Sequence, residues 1–121
     1  MFTILNLTTT AVTSVRTPAS GKKQGARLIF TDDLRDKAAS PATPPIGQHS
    51  GVCVLVREPD TWFCRAGWFL PNGNLVAGGL IDFSAPNFAV AIFGGTGAYK
   101  DARGEIRGTP GGSDLTLEIL P

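Results

Sequence analysis

Two adjacent carboxylates, Asp32 and Asp33 in RLIFTDDLRD (27–36), are the first candidates for proton chemistry in this sequence. An enclosed carboxyl can give a proton to, or take one from, an enol or carbonyl, a contribution of roughly 10²–10⁴-fold. The run reads as a β-strand, and strand side chains alternate between faces, so only one of the pair can face an interior. The residues leave open which one, and a solvated strand end with local Asp–Arg pairs fits TDDLRD equally well. Arg57 and Arg65 are the basic residues whose strands could aim a guanidinium inward, where Asp32 or Asp33 would be its partner. Cys53 and Cys64 have no CxxC spacing, and the single histidine, His49, leaves no second imidazole to complete a metal set. Free thiols in a reducing cytoplasm are therefore expected, with Cys53 read as a small apolar core residue. No general base stands beside either thiol, which argues against a cysteine nucleophile. His49 falls in RDKAASPATPPIGQHS (35–50), a Pro-, Ala- and Ser-rich segment expected to be a long loop. There the ring is solvated unless the loop folds over a binding site as a lid.

GGTGAYKDARG (94–104) invites comparison with a phosphate loop. The dinucleotide spacing Gly-x-Gly-x-x-Gly fails at its third position, which is Lys100, and no Gly-Lys-Ser or Gly-Lys-Thr follows. Gly104 and Gly108 leave no helix whose N-terminus could hold a phosphate. The better reading is a sharp corner between two strands. Tyr99, the only tyrosine, is expected to plug the end of the fold there. Arg103 and Glu105 are expected to pair on the strand that follows.

The elements that must carry these residues are strands. Fifteen Gly and nine Pro punctuate the chain at intervals too short for a helical protein. Strands are expected near 2–16, 26–34, 51–58, 61–70, 74–83, 88–93, 102–107 and 114–120, separated by turn-forming runs such as PNGN and TPGGSD. No 3.6-residue period survives three turns. Eight strands joined mostly by short turns predict a single all-β domain, an antiparallel closed barrel of lipocalin-like shape. Such a barrel has room for one small ligand. Trp62, Phe63, Trp68 and Phe69 share one strand, so half of them face inward and half outward, toward solvent or a subunit interface. On the sixth strand either Phe88, Val90 and Ile92 or Ala89, Ala91 and Phe93 form the inner wall. A net charge of +1 with mixed signs gives no basic face for nucleic acid. No apolar run approaches the roughly 20 residues of a membrane-spanning helix, and MFTILNLTTTAVTSV lacks the basic start and unbroken apolar core of a signal peptide.

The GGTG segment, with its aromatic and its ARG, resembles the signature near the end of plant dirigent proteins, and the allene oxide cyclases have a similar Gly-rich turn. GVCVLVRE (51–58), FCRAGWFLPNGNLVAGG (63–79) and FAVAIFGGTG (88–97) resemble successive strands of those cyclases, and RLIFTDDLRD resembles the first barrel strand of dirigent proteins. The similarity covers about residues 27 to 107 and leaves the first strand without a counterpart. It implies a barrel without metal or organic cofactor, commonly a trimer. It places Asp33 at the dirigent acidic position, and Cys53 on the wall of the cyclase pocket. The chain departs from the cyclases at Phe30, which stands where they carry an essential acidic residue.

Together these readings predict a cofactor-independent cyclase or isomerase of a hydrophobic polyketide- or lipid-type molecule, in natural-product biosynthesis. Asp32 or Asp33 would be its acid, with Phe30, Cys53, Leu55, Phe63, Arg65, Trp68 and Tyr99 against the substrate and a homo-oligomer, trimer or dimer, as the assembly. Positioning a flexible chain in one conformer can by itself supply much of such catalysis. The competing reading is a dirigent-like or carrier protein that binds a hydrophobic small molecule without converting it. Such a carrier would survive loss of both carboxylates.

Overall fold

The computed structural model describes residues 3–19, 21–40 and 42–120; the expected strand start at Phe2 and Pro41 of the expected loop lie outside them. The described residues form eight strands: β1 Thr3–Thr17, β2 Arg27–Asp36, β3 Gly47–Arg57, β4 Thr61–Leu70, β5 Gly73–Asp82, β6 Phe88–Gly95, β7 Arg103–Gly108 and β8 Asp114–Leu120. Each pairs antiparallel with its sequence neighbours, and β8 returns to β1 to close the barrel. No α-helix is present among them, and no helix is long and apolar enough to cross a membrane.

Strict alternation makes this architecture. Leu115, Leu117 and Ile119 of β8 are buried, while the intervening Thr116 and Glu118 are not. Leu75, Ala77 and Ile81 on β5 and Val90 and Ile92 on β6 point the same way, and the inner faces together form one core. On β6 it is therefore the Phe88, Val90, Ile92 set that faces inward, and Phe93 is 58% exposed.

GGTGAYKDARG is a barrel corner. β6 ends at Gly95, a 3₁₀ turn spans Gly97–Tyr99, and β7 starts at Arg103. Gly97 has φ 61°, and a side chain on Gly95 would run into the backbone oxygens of Asn74 and Tyr99. Tyr99 packs there against the end of the core.

Four expectations need correction. The long loop spans only 37–46, because β2 runs on to Asp36 and β3 begins at Gly47, which puts His49 inside a strand. That loop also lies at the end of the barrel shared with Tyr99 and the 70–73 turn. Cys53 and Cys64 are not free thiols: they oppose each other directly on β3 and β4, with Cα atoms 4.1 Å apart, and form a disulfide. The thiol argument for a reducing compartment loses its premise, since disulfides persist where conditions are oxidising. Glu105 does not pair with Arg103; it lies 4.0 Å from Arg107, whose guanidinium bonds Glu118 at 2.7 Å.

Candidate functional site

The register across β2–β5 stacks the inner side chains in layers. Asp32, His49, Trp68 and Leu75 are successive cross-strand partners and form one layer. The next, toward the β7–β8 turn, is Phe30, Gly51, Ala66 and Ala77, three of them with little or no side chain. A methyl on Gly51 would come within 2.8 Å of the Phe30 ring and of Ala66. The small residues thus leave space in the barrel, and Phe30 takes part of it. What is left is a cavity of about 150 Å³. Asp32, His49 and Trp68 line its floor, the Cys53–Cys64 disulfide lines one wall, and Phe83, Phe88 and the 109–112 turn line its mouth. Register explains the mouth: β8 starts at Asp114 opposite Thr8, so the upper half of β1 has no strand paired with it on that side among the described residues.

At the floor, His49 Nδ1 lies 3.3 Å from Asp32 Oδ2, with the two side chains 11% and 18% exposed. The pair is close but not aligned, and Nδ1 makes no well-directed hydrogen bond. Catalytic hydrogen bonds are often loose without substrate and tighten in its presence. The imidazole is held by aromatic packing. It stacks on Trp68 with centroids 4.4 Å apart, and Phe30 meets it edge-on at 5.0 Å. An acid beside an imidazole can exchange a proton and spread the resulting charge across the pair.

Of the expected site residues, Asp32, Phe30, Cys53 and Trp68 line this cavity. Asp33 does not: alternation turns it outward, opposite Gln48. Phe63 and Arg65 lie on the outer face of β4, and Arg57 is exposed as well, so no arginine enters to pair with the aspartates. Leu55 is fully buried in the core rather than on the cavity wall. Tyr99 borders a second hollow of about 320 Å³ at the opposite end, with Asp36 and Ile46. His49, weighed above only as a loop residue, faces the cavity from β3. Counting back in twos from Leu55 through Cys53 and Gly51 reaches it, so the strand's own period carried the signal. Among the described residues no cluster of three or more His, Cys, Asp or Glu could hold a metal ion.

No protein-family model matches the chain, and no curated protein matches it in sequence. Solved structures do match. A pyocyanin demethylase superposes with a TM-score of 0.83 at 21% identity, covering 98% of this chain and 100% of the other. AbnU, an exo-specific intermolecular Diels-Alderase, superposes with 0.78 at 13% identity, over 98% of this chain and 96% of that one. A nonspecific heme-binding cyclase that catalyses a cycloaddition in neoabyssomicin biosynthesis gives 0.60 at 19% identity, over 100% of this chain and 68% of that one. The chain has the fold of these small barrels.

Proposed function

We propose that the chain is a cyclase or isomerase of a hydrophobic small molecule in natural-product biosynthesis, with the Asp32–His49 pair moving the proton. The observation that carries this is a carboxylate and an imidazole 3.3 Å apart at the floor of an otherwise apolar cavity. A nucleophilic or acid–base pair facing into a cleft is the geometry from which chemistry can be argued. The cavity walls hold the substrate's reacting part in one conformer and keep water away. Asp32, as the carboxylate, takes a proton from the substrate and returns it at another position, while His49, fixed by Trp68 and Phe30, stands beside it to hold that proton in between.

The similarity in fold to cycloaddition catalysts supports this reading. The same fold also serves a demethylase, so the fold alone does not choose the bond. One of the similar barrels binds heme, but the residues here do not fit one. The cavity is far smaller than a porphyrin, and the only imidazole is stacked beneath Trp68 and faces Asp32. The chemistry is proposed to need no cofactor.

The outer face of β4–β6 supports a homo-oligomer, dimer or trimer. Phe63 and Leu80 are directly paired across it, 44% and 62% exposed, with Phe69, Val76 and Phe93 beside them. Several large apolar side chains exposed on one face, here with Arg65 among them, are a mark of interaction surfaces.

The test compares small-molecule extracts of cells with and without the gene by liquid chromatography and high-resolution mass spectrometry. An enzyme of this class exchanges one peak for another of identical formula, and Asp32→Asn lowers that conversion by about 10²-fold or more. Loss of a methyl group's mass would point instead to demethylation. Lower product without an accumulating isomer would favour the carrier.

A further inference from the structure

The charge inside the cavity is lopsided. Among the described residues Asp32 and His49 are the only lining ones that can ionise, and no lysine or arginine is among those that line it. Arg65 and Arg57 point outward, and Arg16 is spent over the Trp62 ring and on the carbonyl of Gly21. The one group able to become positive, His49, already faces Asp32. A ligand carboxylate drawn into this space would lose its water, find no free cation, and meet Asp32. A cation would instead find a carboxylate and the faces of Trp68 and Phe30. Size narrows the class further: a cavity of about 150 Å³ is what a single aromatic ring fills.

We infer that the site takes the ring of an uncharged or cationic planar aromatic molecule, that Asp32 reads its charge, and that the same ring bearing a carboxylate is rejected. This rests on the reading above only in placing the substrate in this cavity. It narrows the substrate away from fatty-acid-like molecules whose carboxylate would have to enter.

A matched series of probes tests it: benzyl alcohol, benzylammonium and benzoate, titrated into the intact protein at neutral pH. Binding is followed by the Trp68 indole N–H chemical shift, which reports on the floor itself. The alcohol and the ammonium are expected to move that signal. Benzoate is expected to bind more weakly than the alcohol by about tenfold or more, the cost of setting like charges together. In Asp32→Asn the ammonium loses its affinity by a similar factor, the alcohol is nearly unchanged and benzoate is rescued. Benzoate binding as tightly as the alcohol to the unaltered protein overturns the inference, and that comparison needs no variant. So does an ammonium preference that survives Asp32→Asn, or a series in which no ring moves the Trp68 signal. The charge preference and the mass-balance experiment fail independently. Turnover that depends on Asp32 without charge selection sinks only this inference, whereas charge selection without an isomeric product sinks only the enzyme.

Discussion

Two walls of the same barrel are built by the same alternation and end up with opposite surfaces. On β7–β8 the outward residues are Arg103, Glu105, Arg107, Thr116 and Glu118, and the polar side chains there find partners: Arg107 bonds Glu118 at 2.7 Å, and Thr116 donates to Asn6 of β1 at 3.2 Å. On β4–β6 the outward residues are Phe63, Phe69, Val76, Leu80 and Phe93, with Arg65 the one charge among those strands' central positions. The first wall is finished in water. The second carries large apolar side chains on the face that antiparallel sheets commonly leave solvated. The chain buries its inner face by closing the barrel and leaves these outer side chains exposed.

Breaking the apolar wall should have the largest effect. Phe69→Lys with Leu80→Lys is expected to turn an oligomer into a monomer, read as molar mass by light scattering after gel filtration, while Glu118→Lys on the other wall leaves the mass unchanged. A monomeric unaltered protein would remove the basis of the comparison. Next comes the seam beside the apolar wall, where the disulfide ties β3 to β4. Cys53→Ser with Cys64→Ser should cost about 2–4 kcal/mol in denaturant unfolding. Chemical reduction of the unaltered protein should reproduce that loss.

The polar wall should give little when cut. Arg107→Ala is expected to cost about 0.2–1 kcal/mol, because its partners are exposed and screened. A cost near that of the cysteine pair would show the charged wall to be structural rather than merely solvated. The smallest effect is one of pH. At the β3–β4 turn the hydrogen bond from Lys22, 2.6 Å away, holds the Asp60 carboxyl below its ordinary value. A depressed carboxyl stabilises the fold above its unfolded pKa, and that contribution disappears as pH falls through the folded one. Melting temperature should therefore drop between about pH 5 and pH 2, and slightly less steeply in Lys22→Ala.

How much of this was legible beforehand varies by element. The turns PNGN, SAPN and TPGGSD marked six strand ends closely, because Gly, Pro and Asn are needed where a hairpin reverses. The start of β3 was not marked. GQHS has no apolar alternation, and the prolines just before it carry the look of a loop up to Gly51. Pairing with β2 and β4 makes it a strand: Gln48 opposes both Asp33 and Phe69, and His49 opposes both Asp32 and Trp68. Half of the candidate pair was hidden by that boundary. The cysteines were hidden for a similar reason, since a separation of 11 residues says nothing until a hairpin sets the two face to face.

By itself the sequence determined the class of fold, the number of strands, the corner at GGTGAY and the presence of two adjacent carboxylates on one strand. These follow from local rules: side chains alternate every residue along a strand, and turn residues act within a few positions. Only the tertiary structure decided that Asp32 rather than Asp33 faces inward, that His49 stands beside it, that the thiols are joined and that Phe63 and Arg65 look out. Each of those depends on register between strands, and a shift of one residue would turn every side chain to the opposite face.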